Sequence, residues 1–249
     1  MRYFEQNGQS LIWRNKGETL VITPWGENSL RVRSTLMGDV QDFRFALLDA
    51  PQTPAEITIE DERASIRCGN LTAQVGMDGW HHYAQITFVN QRGEVLLRET
   101  SAANALQLRC RKFEPHLGGD FALTATFEGQ DGEHIYGMGQ YQEETLDWKG
   151  ATLELAHRNS QASVPFYISS RGYGFLWHNP AIGRATFGNP WIFQQSKAAL
   201  AGEEIPDRPI LAKRVDVAVR QFELAFEDKG EHIACLEARK HFAWYLRGV

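Results

Sequence analysis

Apolar and polar residues alternate in short runs from Thr19 to about Asn179, and the period lengthens after Asn189. Ser29-Leu30-Arg31-Val32-Arg33-Ser34-Thr35-Leu36 alternates with period two, which predicts a strand with one face on a core. Two short runs between Ala64 and Val75 flank Gly69-Asn70, a pair suited to a tight hairpin turn. Gln85–Val89 and Glu94–Leu97 flank the Gly-containing loop Asn90-Gln91-Arg92-Gly93, which predicts a second hairpin. Leu106–Lys112 and Phe121–Phe127 alternate again, separated by Pro115 and Gly118-Gly119. Many short strands without helical patterns between them predict a mainly β fold, an antiparallel β-sandwich.

Beyond Asn189 the spacing is helical. Trp191–Ala201 reads as a short helix ended by Gly202, and Pro206 and Pro209 mark a linker. Val215, Val219, Phe222 and Phe226 recur at spacings of three and four, which predicts a helix across Ile210–Asp228. Gly230 ends it, and Glu231–Leu246 forms another with Ile233, Leu236, Phe242 and Leu246 inward. The expected organisation is a β domain over residues 1–187 and a small all-α tail over residues 188–249. So small a helical unit seldom stands alone, and it should dock on something.

Composition bounds the chemistry. A length of 249 residues with 43% hydrophobic and 23% charged content is ordinary for a soluble protein with a large core. Apolar runs stay short of the roughly 18 residues a membrane span needs, and the start is too polar for the centre of a secretion signal. Cys68, Cys110 and Cys235 share no metal-like spacing, which predicts buried free thiols, no metal site and a reducing, cytoplasmic setting. The net charge of −5 argues against a generally basic nucleic-acid binder. It is unevenly spread: residues 181–249 hold 10 Lys+Arg and 9 Asp+Glu, net +1, against 16 and 22, net −6, in the rest.

Specific words sharpen this. Tyr136-Gly137-Met138-Gly139-Gln140, Lys149-Gly150, His157-Arg158-Asn159, Pro165-Phe166, Arg171-Gly172-Tyr173-Gly174 and Trp177-His178-Asn179-Pro180 resemble the N-terminal domain of glycoside hydrolase family 31. The resemblance covers residues 1–187 and implies a galactose-mutarotase-like sandwich preceding a catalytic (β/α)8 barrel of a retaining α-xylosidase or α-glucosidase. Retention needs a nucleophile and an acid/base about 5 Å apart. The family's Trp-x-Asp-Met-Asn-Glu type of nucleophile segment does not occur in this sequence. Asp120, Glu143, Glu144 and Asp147 read instead as solvated loop charges, so no catalytic residue is assigned and the chain is expected to be inactive alone.

What the resemblance offers is a substrate-binding loop. Asn159, with Arg158 beside it, falls where relatives place an Asn or Asp for a sugar hydroxyl, and an amide supplies both donor and acceptor. A plain turn would explain the same pair. Trp148, Tyr173 and Trp177 could stack on a sugar, although core packing is the commoner use of such aromatics.

The tail resembles the C-terminal end of a bacterial tRNA-dihydrouridine synthase, carried by Ile182-Gly183-Arg184, Gly188-Asn189-Pro190-Trp191-Ile192-Phe193, Glu237-Ala238-Arg239-Lys240-His241 and Trp244-Tyr245-Leu246. The resemblance implies Gly183 and Arg184 at an FMN phosphate and Arg239, Lys240 and His241 on tRNA. The flavin site also needs a barrel and a Cys in an Asn-x-x-Cys-Pro type of context, and Cys68, Cys110 and Cys235 lack such neighbours, so no cofactor is expected. Arg239, Lys240 and His241 are consecutive and fan out over about 200° of a helix, which weakens a single tRNA-facing surface. Three readings follow: an accessory, non-catalytic domain for an α-glycoside-cleaving enzyme, a tRNA-binding module, and an interaction protein or truncated fusion product.

Overall fold

The computed structural model describes residues 3–51, 53–77, 82–100 and 109–188. Strands β1 (Phe4–Asn7), β2 (Ser10–Asn15), β3 (Glu18–Pro24) and β4 (Leu30–Leu36) form one antiparallel meander. Strands β5 (Glu56–Ile59), β6 (Arg63–Cys68), β7 (Leu71–Met77), β8 (Ala84–Val89) and β9 (Val95–Arg98) form a second. Both hairpins expected in this region occur, the first turning at Gly69-Asn70 and the second between β8 and β9. The inward residues of the two sheets make one core: Phe4, Leu11, Trp13, Leu20 and Ile22 meet Ala64, Ile66, Ala73, Val75 and Ile86. Each large aliphatic or aromatic side chain buried there contributes about 1.5–3 kcal/mol.

Strand β4 departs from simple alternation. Leu30 and Val32 pack on the core, yet every β4 residue is half-buried. The face carrying Arg31 and Arg33 is covered by the segment that follows, for both guanidinium groups reach Asp42. The Gly69 turn is tied to the β3–β4 turn. Asn28 Oδ1 accepts from Asn70 N at 2.9 Å, and a Cβ on Gly69 would stand 2.2 Å from the Glu27 carbonyl oxygen. Glycine is required there because the two backbones meet.

Strands β10 (Arg111–Pro115) and β11 (Phe121–Ala125) pair as a hairpin, with Pro115 opposite Phe121. Of the strand expected from Leu106 to Lys112, residues 106–108 lie outside the described residues, and β10 takes up only its end, from Arg111; Pro115 sits at the end of β10, where a proline's missing donor is tolerated. Arg111 is the hinge of this region. Its Nε donates to Glu18 Oε1 at 2.7 Å, Nη1 to Glu99 Oε2, and Nη2 to the Ala84 carbonyl at 2.9 Å. All three charged residues are buried. Burial opposes the charge on Arg111, but Glu99 and Glu18 outweigh it and raise its pKa. Sequence alternation alone gave no sign of this trio, whose members are 93 positions apart at the extreme.

Strands β12 (Ile135–Gln140), β13 (Thr152–Leu155), β14 (Ala162–Ser169), β15 (Tyr173–Leu176) and β16 (Gly183–Thr186) build two further antiparallel sheets, ordered β12-β14-β15 and β13-β16. A second cluster of Ile135, Met138, Trp148 and Leu153 joins them. The Tyr136-Gly137-Met138-Gly139-Gln140 word has a physical reason. The β12–β14 register shifts between Gly137 and Gly139, and a Cβ on Gly139 would lie 2.2 Å from the Ala162 carbonyl oxygen. The irregularity turns Met138 inward, leaving it 2% exposed. On the opposite face of this sheet Val164, Phe166, Ile168 and Leu176 are exposed by 40–52%.

The mainly β, antiparallel architecture is thus seen throughout the described residues. The helices expected between Trp191 and Leu246, with Arg239, Lys240, His241 and Cys235, lie outside the described residues. Among those described, no helix is long and apolar enough to cross a membrane.

Candidate functional site

The loop between β13 and β14 presents the pair expected to meet a sugar. Arg158 and Gln161 exchange two backbone hydrogen bonds, each 3.1 Å, which leaves Asn159 and Ser160 at the tip of a tight turn. Ser160 takes φ 67, the left-handed region, and Asn159 is exposed. The Arg158 guanidinium folds back onto Glu154 Oε2, four residues earlier on β13. Arg158 thereby holds the loop, as a charge-assisted bond can, while the Asn159 side chain stays at the exposed tip.

Arg184 enters the same neighbourhood. In the β13–β16 ladder it stands directly opposite Glu154, and Gly183 stands opposite Leu155. Gly183 and Arg184 therefore lie in a strand, whereas a phosphate is gripped by converging N–H groups at a helix start.

Behind the loop the polar groups are structural. Trp148 is buried, and its indole N–H donates to the Gly137 carbonyl at 2.9 Å. Tyr167, Phe175 and Trp177 stack in a row, with centroids 5.3 Å and 6.4 Å apart. Tyr173 donates to Glu133 Oε1 at 2.8 Å, which Ser169 also reaches. Burial pushes the Tyr167 hydroxyl up to about 12 and raises Tyr173 as well.

Asp147 corrects an expectation. It is no free loop charge: Oδ1 accepts from Ile135 N at 2.9 Å and Lys149 N at 3.0 Å, and Oδ2 meets His134 Nδ1 at 2.6 Å. Burial opposes its ionisation, but these three donors prevail and hold the carboxyl below the usual range. Its Asp-x-Lys spacing is the local signal, a side chain capping the backbone two residues on. Asp120, Glu143 and Glu144 are exposed, as expected. Among the described residues no cluster of three or more His, Cys, Asp or Glu converges as a metal site would, and Cys68 and Cys110 are buried free thiols.

This strand order and loop geometry can be set beside known proteins. Residues 19–184 match the glycosyl hydrolase 31 N-terminal galactose mutarotase-like domain. The chain belongs to that family. An uncharacterized family 31 glucosidase of Pseudescherichia vulneris is 44% identical over 199 residues, covering 73% of this chain and 37% of the relative. The crystal structure of a family 31 α-xylosidase from a soil metagenome, complexed with xylose, superposes with a TM-score of 0.68 at 42% identity, covering 75% of this chain and 29% of that one. The family 31 domain described here thus spans about a third of the length of the relatives it matches.

Residues 178–249 match dihydrouridine synthase. A probable tRNA-dihydrouridine synthase of Mycobacterium tuberculosis is 39% identical over 67 residues, covering 27% of this chain and 17% of the relative. The two matches overlap at residues 178–184, the stretch that enters β16.

Proposed function

We propose that the family 31 domain is an accessory, non-catalytic part of a retaining α-glycosidase of the α-xylosidase or α-glucosidase class. It would supply a rim to a sugar site whose reacting carboxylates stand elsewhere. The observation that carries this reading is the apolar outer face of β14 and β15, where Val164, Phe166, Ile168 and Leu176 are exposed together. A contiguous patch of this kind marks a surface built to be covered. The relatives have ample further chain to cover it, since the match takes up 37% of one and 29% of the other. The Asn159 tip is the part of this domain offered to substrate, with Arg158 fixing the loop through Glu154. The buried thiols of Cys68 and Cys110 fit a reducing, cytoplasmic setting.

The test is direct. The purified 249-residue chain is expected to release no p-nitrophenol from aryl α-xylosides or α-glucosides. Turnover that survives further purification and is lost on heat denaturation overturns the accessory reading.

A second reading rests on the synthase match over residues 178–249. In it the tail is a tRNA-binding module acting through Arg239, Lys240 and His241, and Gly183-Arg184 is a remnant of an FMN phosphate contact. Gel-shift titration with bulk tRNA at two salt concentrations decides it. Phosphate-driven binding weakens steeply with salt, and the absence of any shift at low salt removes the reading.

A further inference from the structure

A cleft of about 300 Å³ lies on the outer face of β3 and β4, where the segment after β4 crosses back over the sheet. Its lining includes Trp25, Arg31, Arg33, Asp42, Arg44 and Asp49. Arg31 and Arg33 are two positions apart on β4 and so share a face of the strand. The crossing segment contributes Asp42, Arg44 and Asp49, and Trp25 comes from the β3–β4 turn.

The charges in this cleft do not balance. Three guanidinium groups meet two carboxylates, and one of these, Asp42, serves all three arginines. Asp42 Oδ1 takes both Arg31 Nη1 and Arg33 Nη1, the latter at 3.2 Å, while Oδ2 takes Arg44 Nε at 3.1 Å. Asp49 meets only Arg44. Arg33 Nε is buried without a hydrogen-bond partner among the described residues. Burial first, and then the neighbouring Arg31, lower the pKa of Arg33. The Arg31 hydrogen bond holds Asp42 below the usual carboxylate range. A network that merely fastened the segment to the sheet would be expected to close on itself, and this one retains an excess positive charge.

Its geometry is fixed in advance. The Arg31 and Arg44 guanidinium carbons stand 5.1 Å and 5.6 Å from the Trp25 ring centroid, within cation–π range. Arg31 also donates to the Phe43 carbonyl oxygen. Guanidinium groups held in place by an aromatic ring and shared acceptors lose little entropy on gripping a planar or tetrahedral oxyanion. The volume is at the small end of ligand pockets, enough for a monosaccharide-sized molecule.

We propose that this cleft is a binding site for the oxyanion of a small polar molecule, a carboxylate or phosphate of sugar size, gripped by Arg33 and Arg44 beside Trp25. It does not rest on the accessory-domain reading, because none of its residues belongs to the Asn159 loop.

The experiment is isothermal titration of the full 249-residue chain at low salt with four probes: glucose, glucuronate, glucose 6-phosphate and inorganic phosphate. Binding of glucuronate alone assigns a carboxylate; binding of glucose 6-phosphate together with phosphate assigns a phosphate; binding of all three anions assigns a general oxyanion site. In each case glucose must bind at least about tenfold more weakly, the contribution of one charge-assisted hydrogen bond. Arg44→Gln, at a half-exposed position, should weaken the bound anion about tenfold while leaving the urea midpoint close to that of the parent. Equal binding of glucose and the anions, no binding by any probe at millimolar concentration, or an Arg44→Gln protein that folds normally and binds unchanged overturns the proposal.

Discussion

Arg111 Nε donates to Glu18 Oε1 across 2.7 Å, fastening β10 to β3 inside the protein. Because Glu99 holds the other side of the same guanidinium, Arg111→Met would strand two buried carboxylates. The expected loss is about 3–5 kcal/mol of unfolding free energy, the usual result of removing one partner from a buried pair. Urea denaturation at neutral pH measures it. The triple variant Arg111→Met, Glu18→Gln, Glu99→Gln should recover most of that loss, since no unpaired charge is left inside.

Gly69→Ala should destabilise the chain by about 1–3 kcal/mol, because a side chain in the left-handed region is strained. The Glu27 carbonyl oxygen would also stand 2.2 Å from the new Cβ. A thermal melt reports the effect, and Gly93→Ala provides the contrast: that glycine also has positive φ, but nothing lies within 4 Å of its Cβ position.

Asp147 predicts a pH dependence with a definite sign. Its folded pKa lies below the ordinary value, so its stabilisation is complete above the unfolded pKa, about 3.9. It fades as pH falls through the lower folded value. Urea unfolding between about pH 5 and pH 2 should therefore show a steeper loss for the parent chain than for Asp147→Asn.

Cys110 should be chemically silent while the protein is folded. The thiol is 4% exposed, and burial pushes it up to about 12, so almost no thiolate exists near neutral pH. Iodoacetamide labelling at mildly alkaline pH, read by peptide mass spectrometry, should modify Cys110 only after denaturant is added.

Asn159→Ala should change stability by less than about 0.5 kcal/mol, because the side chain sits in solvent at a turn tip. A melting curve that drops by several degrees would show the residue to be part of the fold and not free for a ligand.

Sequence patterning made the β framework legible because alternation reports which side of a strand is covered. The Gly69-Asn70 hairpin and the β8–β9 hairpin followed from turn residues between apolar runs. It failed where contacts are long-range or local chemistry overrides pattern. Arg31 and Arg33 sit at the polar positions of an amphipathic strand, and only the chain crossing above them makes a cleft. Arg111 looks like any strand arginine until Glu18 and Glu99 are brought to it by the sheet order. Asp147 is hidden by its setting in a polar loop, although its capping of Lys149 N is local. At the Asn159 loop the turn could be read from the residues, whereas the Glu154 anchor for Arg158 and the presence of Arg184 opposite it needed the β13–β16 pairing.

Strand β16 begins inside the overlap of the two family matches, and it is held to β13 by main-chain atoms in antiparallel register. Peptide groups are the same in every residue but proline. The pairing of this edge therefore depends little on which side chains occupy it, and what they add is packing, as Ala185 does against the second core.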